Sequence, residues 1–379
     1  MTSRRGVLKL IGGGVVLAAA GAGGFVALNQ PSRAARKAWR VAGQETEFRR
    51  RFLSYALLAP NPHNRQPWLV QMEGNDALTL YVDLERRLPA TDPFDRQIVI
   101  GCGAFLELLV LAGAQEGFGA EVQMFPEGED MATLDARPIA HVRFSALSAK
   151  PDPLFAHVLA RRSNKEAYLP ENVPEDALGR LIEEGARFGQ VSGGTGNTSL
   201  ADQLRDLTWQ AHKLEVETPR TNQESVDLMR IGSAEVKANP DGIELEGPMI
   251  GLGKAIGLIS REALADQSSE GFRQGLAMYE AMAMSARGFV WIANDNQSRA
   301  DQIDAGRAYV RMNLRATELG LGLHPWSQAL QEYDEMAPLY ARVHGLIGGG
   351  KRLQMLARTG FGPDVGPTPR RGLEAHLLR

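Results

Sequence analysis

The chain is poor in the residues that build covalent staples and metal centres. Cys102 is its one cysteine, so no intramolecular disulfide, thiolate metal site or iron–sulfur cluster can be assembled from it. The seven histidines are scattered, with no H-E-x-x-H and no close pair, which argues against a protein-bound metal. A G-x-G-x-x-G dinucleotide fingerprint is absent, and so is a Ser-His-Asp signature. Neither sign of charge dominates: 42 Lys and Arg stand against 45 Asp and Glu, for a net −3. That balance gives no electrostatic case for nucleic acid as a partner.

What is present is bulk and apolar content. With 379 residues, 44% of them hydrophobic, the chain can fill two domains or two halves sharing one core. Ser3-Arg4-Arg5-Gly6-Val7-Leu8-Lys9 precedes an uncharged, Gly- and Ala-rich run from Leu10 to Leu28, and polar sequence resumes at Asn29. Basic, weakly apolar, then polar is a secretory layout, and paired arginines mark its twin-arginine form. Residues 1–30 are therefore expected to export the chain through the twin-arginine translocase. Ala20-Gly21-Ala22 offers a cleavage site, and an uncleaved membrane anchor is the alternative. The expected location is the periplasm, or the outward face of a membrane touched only through this segment.

Residues 31–43 read as a linker. Phe48, Phe52, Tyr55 and Leu58 are spaced for one face of a helix over 45–58, which Pro60 and Pro62 stop. Strands are expected at 69–72 and 78–82 around Gly74-Asn75-Asp76, then an apolar helix over 98–116 and strands at 121–125 and 141–144. Beyond a connector at 149–153, helices are expected from Leu154 to the Arg161-Arg162-Ser163 cluster and over 173–186, with a loop at 190–199. Polar helical sequence fills 200–236, and residues 239–257 read as a Gly/Pro-rich loop over the site. A helix at 272–286, a strand at 288–294, a helix at 303–319 and two short strands complete the chain.

An internal repeat is visible. Gly103, Gly117 and Gly119 bracket a helix and its exit turn; Gly306, Gly320 and Gly322 do the same 203 positions later. Glycine commonly ends helices, so chance coincidence is the competing explanation.

Three motifs carry the chemistry. Ala59-Pro60-Asn61-Pro62-His63-Asn64-Arg65-Gln66-Pro67-Trp68 lies between a helix and a strand. Its prolines stiffen the backbone, and Asn64 and Gln66 offer donors and acceptors to a heteroaromatic edge. Read alone it is equally an ordinary turn. Arg161-Arg162-Ser163-Asn164-Lys165 suits a phosphate, because guanidinium forks bind it bidentately, but by itself it is also a solvated basic helix end. Pro367-Thr368-Pro369-Arg370-Arg371 is, in isolation, a basic tail.

Together, in this order, the three resemble the nitroreductase superfamily and, within it, the fused two-unit Acg-type branch. The resemblance implies an α+β fold in which two tandem diverged units, residues 31–149 and 150–379, form an intrachain pseudo-dimer. It implies one FMN between them, since Asn64-x-Gln66-Pro67-Trp68 survives only in the first unit and Arg161-Arg162-Ser163 only in the second. Arg161, Ser163, Arg370 and Arg371 would hold the phosphate beside Arg162, and Lys165 would approach the pyrimidine edge. Pro62, His63, Asn64 and Gln66 would line the ring, and a backbone amide at Glu246-Gly247 would face its N5. The implied activity is an FMN-dependent oxidoreductase passing electrons from a small-molecule donor to a planar acceptor such as a nitroaromatic or quinone. Storage of FMN without turnover, or remodelling of the flavin, are the alternatives. A fused pseudo-dimer needs no second subunit, so a monomer is expected.

Overall fold

The computed structural model describes residues 29–146, 149–296 and 298–378. All but Asn29 and Gln30 of the expected export segment lies outside the described residues.

The first unit opens with a short helix, α1 (Lys37–Val41), and with α2 (Phe48–Ala56), whose N-cap Glu47 accepts from the Arg50 amide. Phe48 and Phe52, one turn apart on α2, pack with Phe118 and Phe144. Strands β1 (Trp68–Glu73) and β2 (Ala77–Val82) form a tight hairpin, with Gly74 at φ +46° in the turn. Next comes α3 (Arg96–Gln115), apolar enough to cross a membrane by composition, yet 89% buried over its most apolar window. It is a core helix. Gly117, at φ +83°, leads it into β3 (Gly119–Met124), which pairs with β4 (Ala140–Ser145). The sheet order is β1-β2-β4-β3.

The second unit repeats this plan: α4 (Glu175–Gly185), β5 (Val191–Thr195), and later β8 (Gly288–Asn294), α11 (Arg299–Glu318), β9 (Gly322–Pro325) and β10 (Arg352–Gly360). Its sheet runs β5-β8-β10-β9, the same path once each strand is matched to its counterpart. Helices α3 and α11 begin and end 203 positions apart, as do Gly119 and Gly322 at the strands that follow. A shared glycine pattern could arise by chance; a shared helix, strand order and pairing scheme establish two tandem copies of one α+β unit.

The difference lies between β5 and β8. Where the first unit turns at Gly74, the second inserts residues 196–287: α5 (Ser199–Glu217), α6 (Pro219–Asp227), β6 (Met229–Ile231), α7 (Ser233–Ala238), β7 (Ile243–Leu245), α8 (Pro248–Ala255), α9 (Arg261–Ala265) and α10 (Glu270–Met284). The loop expected at 239–257 is thus β7 and α8, within a much longer insertion. A last helix, α12 (Ala337–Val343), lies between β9 and β10.

Three other expectations are corrected. Residues 190–199 contain β5, which is hard to recognise because Gly193 and Gly194 carry no side chain; a Cβ on Gly193 would lie 2.5 Å from the Trp291 ring. The helix expected from Leu154 is one tight turn, Pro153–His157, and Arg161–Ser163 follow in non-helical backbone. Residues 31–43 are no free linker, since Ala35, Ala38 and Trp39 are buried.

The two units meet where α3 and α11 cross. A Cβ on Gly103 would stand 2.0 Å from the Ile303 carbonyl oxygen, and one on Gly306 would stand 1.9 Å from that of Ile100. Gly103 matches Gly306 and Ile100 matches Ile303 in the repeat, so the contact is its own mirror across a pseudo-dyad. The first residues of the helices follow the same rule. Arg96 is buried and donates to the carbonyls of Leu330 and Gln354 in the second unit. Arg299 is buried and donates to those of Phe94 and Asp130 in the first. Finally, the C-terminal segment returns to the first sheet: the Val70 amide donates to the His376 carbonyl at 2.7 Å, and Leu377 bridges Val70.

Candidate functional site

The loop between α2 and β1 is the most constrained backbone in the first unit. His63, Asn64 and Gln66 all have φ between 46° and 50°, a left-handed conformation that costs non-glycine residues about 1 kcal/mol or more each. Such strain persists only when neighbours over-determine it. Asn61 Oδ1 accepts from the Gln66 amide at 2.7 Å. The Gln66 side chain donates to the Pro240 carbonyl and accepts from the Arg371 amide. Asn64 donates to the Pro369 carbonyl and accepts from Arg370 at 2.7 Å. Three distant stretches, the loop, the insertion and the C-terminal segment, are thereby fixed to one another.

Behind the loop two guanidiniums are buried side by side. Arg161, 2% exposed, donates to Asn313 Oδ1 and to the Leu58 carbonyl, both at 2.8 Å. Arg370, 5% exposed, donates to the carbonyls of Leu57, Leu58 and Ala59. Both therefore converge on Leu58. Among the described residues neither has a carboxylate within ion-pair distance, and Arg161 Nε and the neighbouring Tyr309 hydroxyl have no hydrogen-bond partner. Burial pulls Arg161 down to about 10 and Arg370 to about 9, each further disfavoured by the arginines beside it. Glu244 offsets this in part for Arg370, but two buried cations without a directly paired acid still cost several kcal/mol, a cost that an anion between them would reduce. Trp39 of α1 closes the group: its ring lies 4.8 Å from the Arg162 guanidinium and 5.5 Å from that of Arg370, and its Nε1 donates to the Thr368 carbonyl.

A cavity of about 300 Å³ opens in front of these residues, at the lower end of the range for small-molecule sites. Of the residues picked out in the sequence, Pro62, His63, Asn64, Ser163, Lys165 and Arg370 line it. His63 Nδ1 is sealed from solvent without a partner, and burial lowers the ring to about 4, so the imidazole is neutral. Lys165 is exposed, at the rim. The others stand behind the wall: Arg161 and Arg162 in the cationic group, Gln66 and Arg371 in the bracing of the loop. Glu246 and Gly247 do not reach the cavity. The Glu246 carboxylate is taken by Arg36 at 2.7 Å and by the Ser32 amide, and Gly247 precedes α8 at φ +115°. Two residues earlier, in β7, Glu244 lines the cavity instead, with Oε2 unpartnered.

The insertion supplies a wall that the motifs did not reveal. His212 and Glu215 from α5, Tyr279 from α10, and Trp326, Gln328 and Gln331 after β9 all face the cavity. The one available signal was the spacing of His212, Glu215 and Val216 at i, i+3 and i+4 within a helix that otherwise reads as polar.

No protein-family model matches the chain. Among curated proteins it is 28% identical over 341 residues to "Putative NAD(P)H nitroreductase Rv3131" of Mycobacterium tuberculosis H37Rv, an alignment covering 87% of this chain and 90% of that one. "Putative NAD(P)H nitroreductase acg" of the same strain is 38% identical over 86 residues, 22% of this chain and 26% of that one. Among solved structures, the FMN-dependent nitroreductase NfnB from Mycobacterium smegmatis in complex with NADPH superposes with a TM-score of 0.35 at 18% identity, covering 57% of this chain and 92% of that one. Through both of its units, the chain is therefore similar to proteins of the nitroreductase superfamily.

Proposed function

We propose that the chain is an FMN-dependent oxidoreductase with one flavin site between its two units. The observation that carries this is the pair of buried guanidiniums, Arg161 from one unit and Arg370 from the C-terminal segment docked on the other, with no carboxylate in ion-pair distance among the described residues. A phosphate meets that charge, and the group in front of it is a cavity walled by both units. The nitroreductase names of the relatives support the same reading. Bound FMN supplies two-electron redox chemistry at N5, which the side chains of this protein cannot.

The residues have separable roles. Arg370 and Ser163 hold the phosphate from the cavity wall, with Arg161 adding charge from behind it and Arg162 and Trp39 closing the cluster. Pro62, His63 and Asn64 line the ring on a backbone too braced to adjust. Lys165 at the rim places positive charge where a reduced ring needs it. The donor is a small reductant, a nicotinamide or a quinol, and the acceptor is planar, a nitroaromatic or a quinone.

The reading extends to export through the twin-arginine translocase, supported by Arg4-Arg5 before the uncharged run 10–28. It extends also to a monomer, because the pseudo-dyad contact is already made within one chain. The test is an absorption spectrum of protein purified from its native envelope, followed by addition of NADPH and of a quinol. A yellow protein bleached by either donor is expected. A colourless protein that ignores added FMN sinks the proposal, and a yellow one bleached by neither points to storage.

A further inference from the structure

The insertion and the segment around and after β9 together close one side of the cavity with a wall unlike the rest. His212 lies 4.5 Å from the Tyr279 ring and 5.0 Å from the Trp326 ring, and His324 lies 5.3 Å from Trp326. Among these rings sit polar atoms that nothing satisfies. Both nitrogens of His212, Trp326 Nε1, Gln328 Oε1 and Gln331 Oε1 are sealed from solvent without a hydrogen-bond partner. Each such atom costs about 1–3 kcal/mol, and all belong to residues lining one cavity. Unsatisfied groups collected around one space point to a ligand that completes them.

Glu215 is the acid of this wall, with its Oε2 4.0 Å from His212 Nδ1. It is 4% exposed. His212 faces it from its own helix, Glu224 from α6 and Tyr279 from α10; Gln328, Gln331 and Tyr333 face it from the segment after β9. No cation is among them. Burial raises the carboxyl to about 7, the two glutamines opposing and Glu224 reinforcing that rise. Burial lowers His212 to about 3, so its ring stays neutral at any working pH. Asp92, the other acid of the cavity with a raised value, already accepts from the amides of Gln97 and Ile98 at the start of α3.

We infer that His212 and Glu215 form the acceptor subsite of the cavity, gripping a planar neutral molecule by a ring oxygen and passing the Glu215 proton to that oxygen when the molecule is reduced. The electrons rest on the flavin reading above; the binding does not. Reduction of a quinone takes two electrons and two protons. One proton arrives with the electron pair from reduced flavin, and the other comes from the Glu215 carboxyl. Each carbonyl oxygen ends as O–H, and the carboxylate left on Glu215 is reprotonated from water. His212, neutral and with both nitrogens free, donates to the same oxygen from one and accepts from a second polar group with the other.

The experiment uses the full chain, with and without FMN, and 2-methyl-1,4-naphthoquinone as the probe. Its binding is read by quenching of tryptophan fluorescence, since Trp326 stands in the wall. Binding is expected to be about tenfold tighter at about pH 6 than at about pH 8, the worth of one hydrogen bond from a protonated carboxyl. In Glu215→Gln, which keeps shape and a donor, that pH dependence disappears, while flavin content stays the same. His212→Phe weakens binding at both pH values. Turnover of the same quinone by the FMN-loaded protein loses kcat as pH rises through 7, and Glu215→Gln flattens that limb. A variant that keeps the wild-type pH dependence overturns the inference. So does an infrared difference spectrum of wild-type protein showing no buried carboxyl losing its proton between those pH values, a measurement that needs no variant to fold. A chain that takes up no FMN sinks the flavin reading, while fluorescence still decides the subsite.

Discussion

The two units carry the same four-stranded sheet on the same core helix, and two connections separate them, the larger between β5 and β8 and the smaller, with α12, between β9 and β10. In the first, β1 and β2 are joined through a turn at Gly74; in the second, β5 and β8 are joined through residues 196–287. What is held in common is the frame: the glycine crossing of α3 and α11, the paired arginines that reach across it, and the positive-φ glycines that end both helices. What differs is the work. The first unit contributes a rigid loop, the second a wall of aromatic and acidic side chains. Duplication left the interface under one constraint twice, and freed a hairpin tip, where insertions cost little, to enlarge in one copy only.

The strongest way to break this comparison is at the crossing. Gly103→Ala and Gly306→Ala each push a methyl against a backbone carbonyl that cannot swing away, and each is expected to cost about 3 kcal/mol or more. Urea unfolding measures both. Closely similar losses support equivalent helices; a neutral result at either position denies the pseudo-dyad.

Next in size is the cationic pair. Arg161→Ala or Arg370→Ala should weaken FMN binding by about tenfold to a hundredfold, the worth of one charged hydrogen-bonding group. Fluorescence titration with FMN reads the change. Unaltered affinity in both variants removes the phosphate from this place.

The asymmetry between units also has a signature in pH. Glu215, raised from 4.5 to about 7, is bound to its proton more tightly folded than unfolded. Its contribution to stability is fully present below about pH 4.5 and lost as pH rises through 7. His63 and His212, both lowered, act in the opposite sense: their contribution is present above about pH 6.5 and lost as pH falls toward their folded values. The clean quantity is wild-type stability relative to Glu215→Gln, which should rise by about 1–3 kcal/mol from pH 7 down to pH 5. Thermal melts across that range check it, and a constant difference refutes it.

Smallest is the hairpin itself. Arg143 and Asp76 form an ion pair at the first unit's turn with both side chains more than half exposed. Arg143→Ala should change stability by less than about 0.5 kcal/mol. A larger loss means that the tight turn is a structural keystone and not a free tip.

Most of the frame was legible in the sequence. Apolar spacing gave away α2, apolar content α3, and the turn at Gly74-Asn75-Asp76 gave away β1 and β2; α4, α10, α11, β3, β4 and β8 were read as well, β8 with its final bounds. β5 was not legible because strand preference resides in side chains, and Gly193-Gly194 have none. The tight turn at 153–157 reads as a helix only until Asp152 is seen to cap it and nothing follows to extend it. For the site, local motifs located the loop and the cations. They did not locate Glu215 or His212, whose neighbours Tyr279 and Trp326 lie far along the chain. The amide expected at Glu246-Gly247 lies away from the cavity because Arg36 draws Glu246 aside while Glu244 lines it, a pairing that nothing local in the sequence shows.

The C-terminal segment that returns to Val70 has a consequence for the order in which the protein can be completed. Arg370 binds the carbonyls of Leu57, Leu58 and Ala59, and residues 369–371 brace Asn64 and share in bracing Gln66. On the ribosome those partners are separated by nearly the whole of translation. The phenylalanine cluster of the first unit is local in sequence, whereas the strained loop at 61–66 lacks part of its bracing until residues 369–371 are present. The loop at 61–66 thus acquires its C-terminal braces only after nearly the whole described chain has been made.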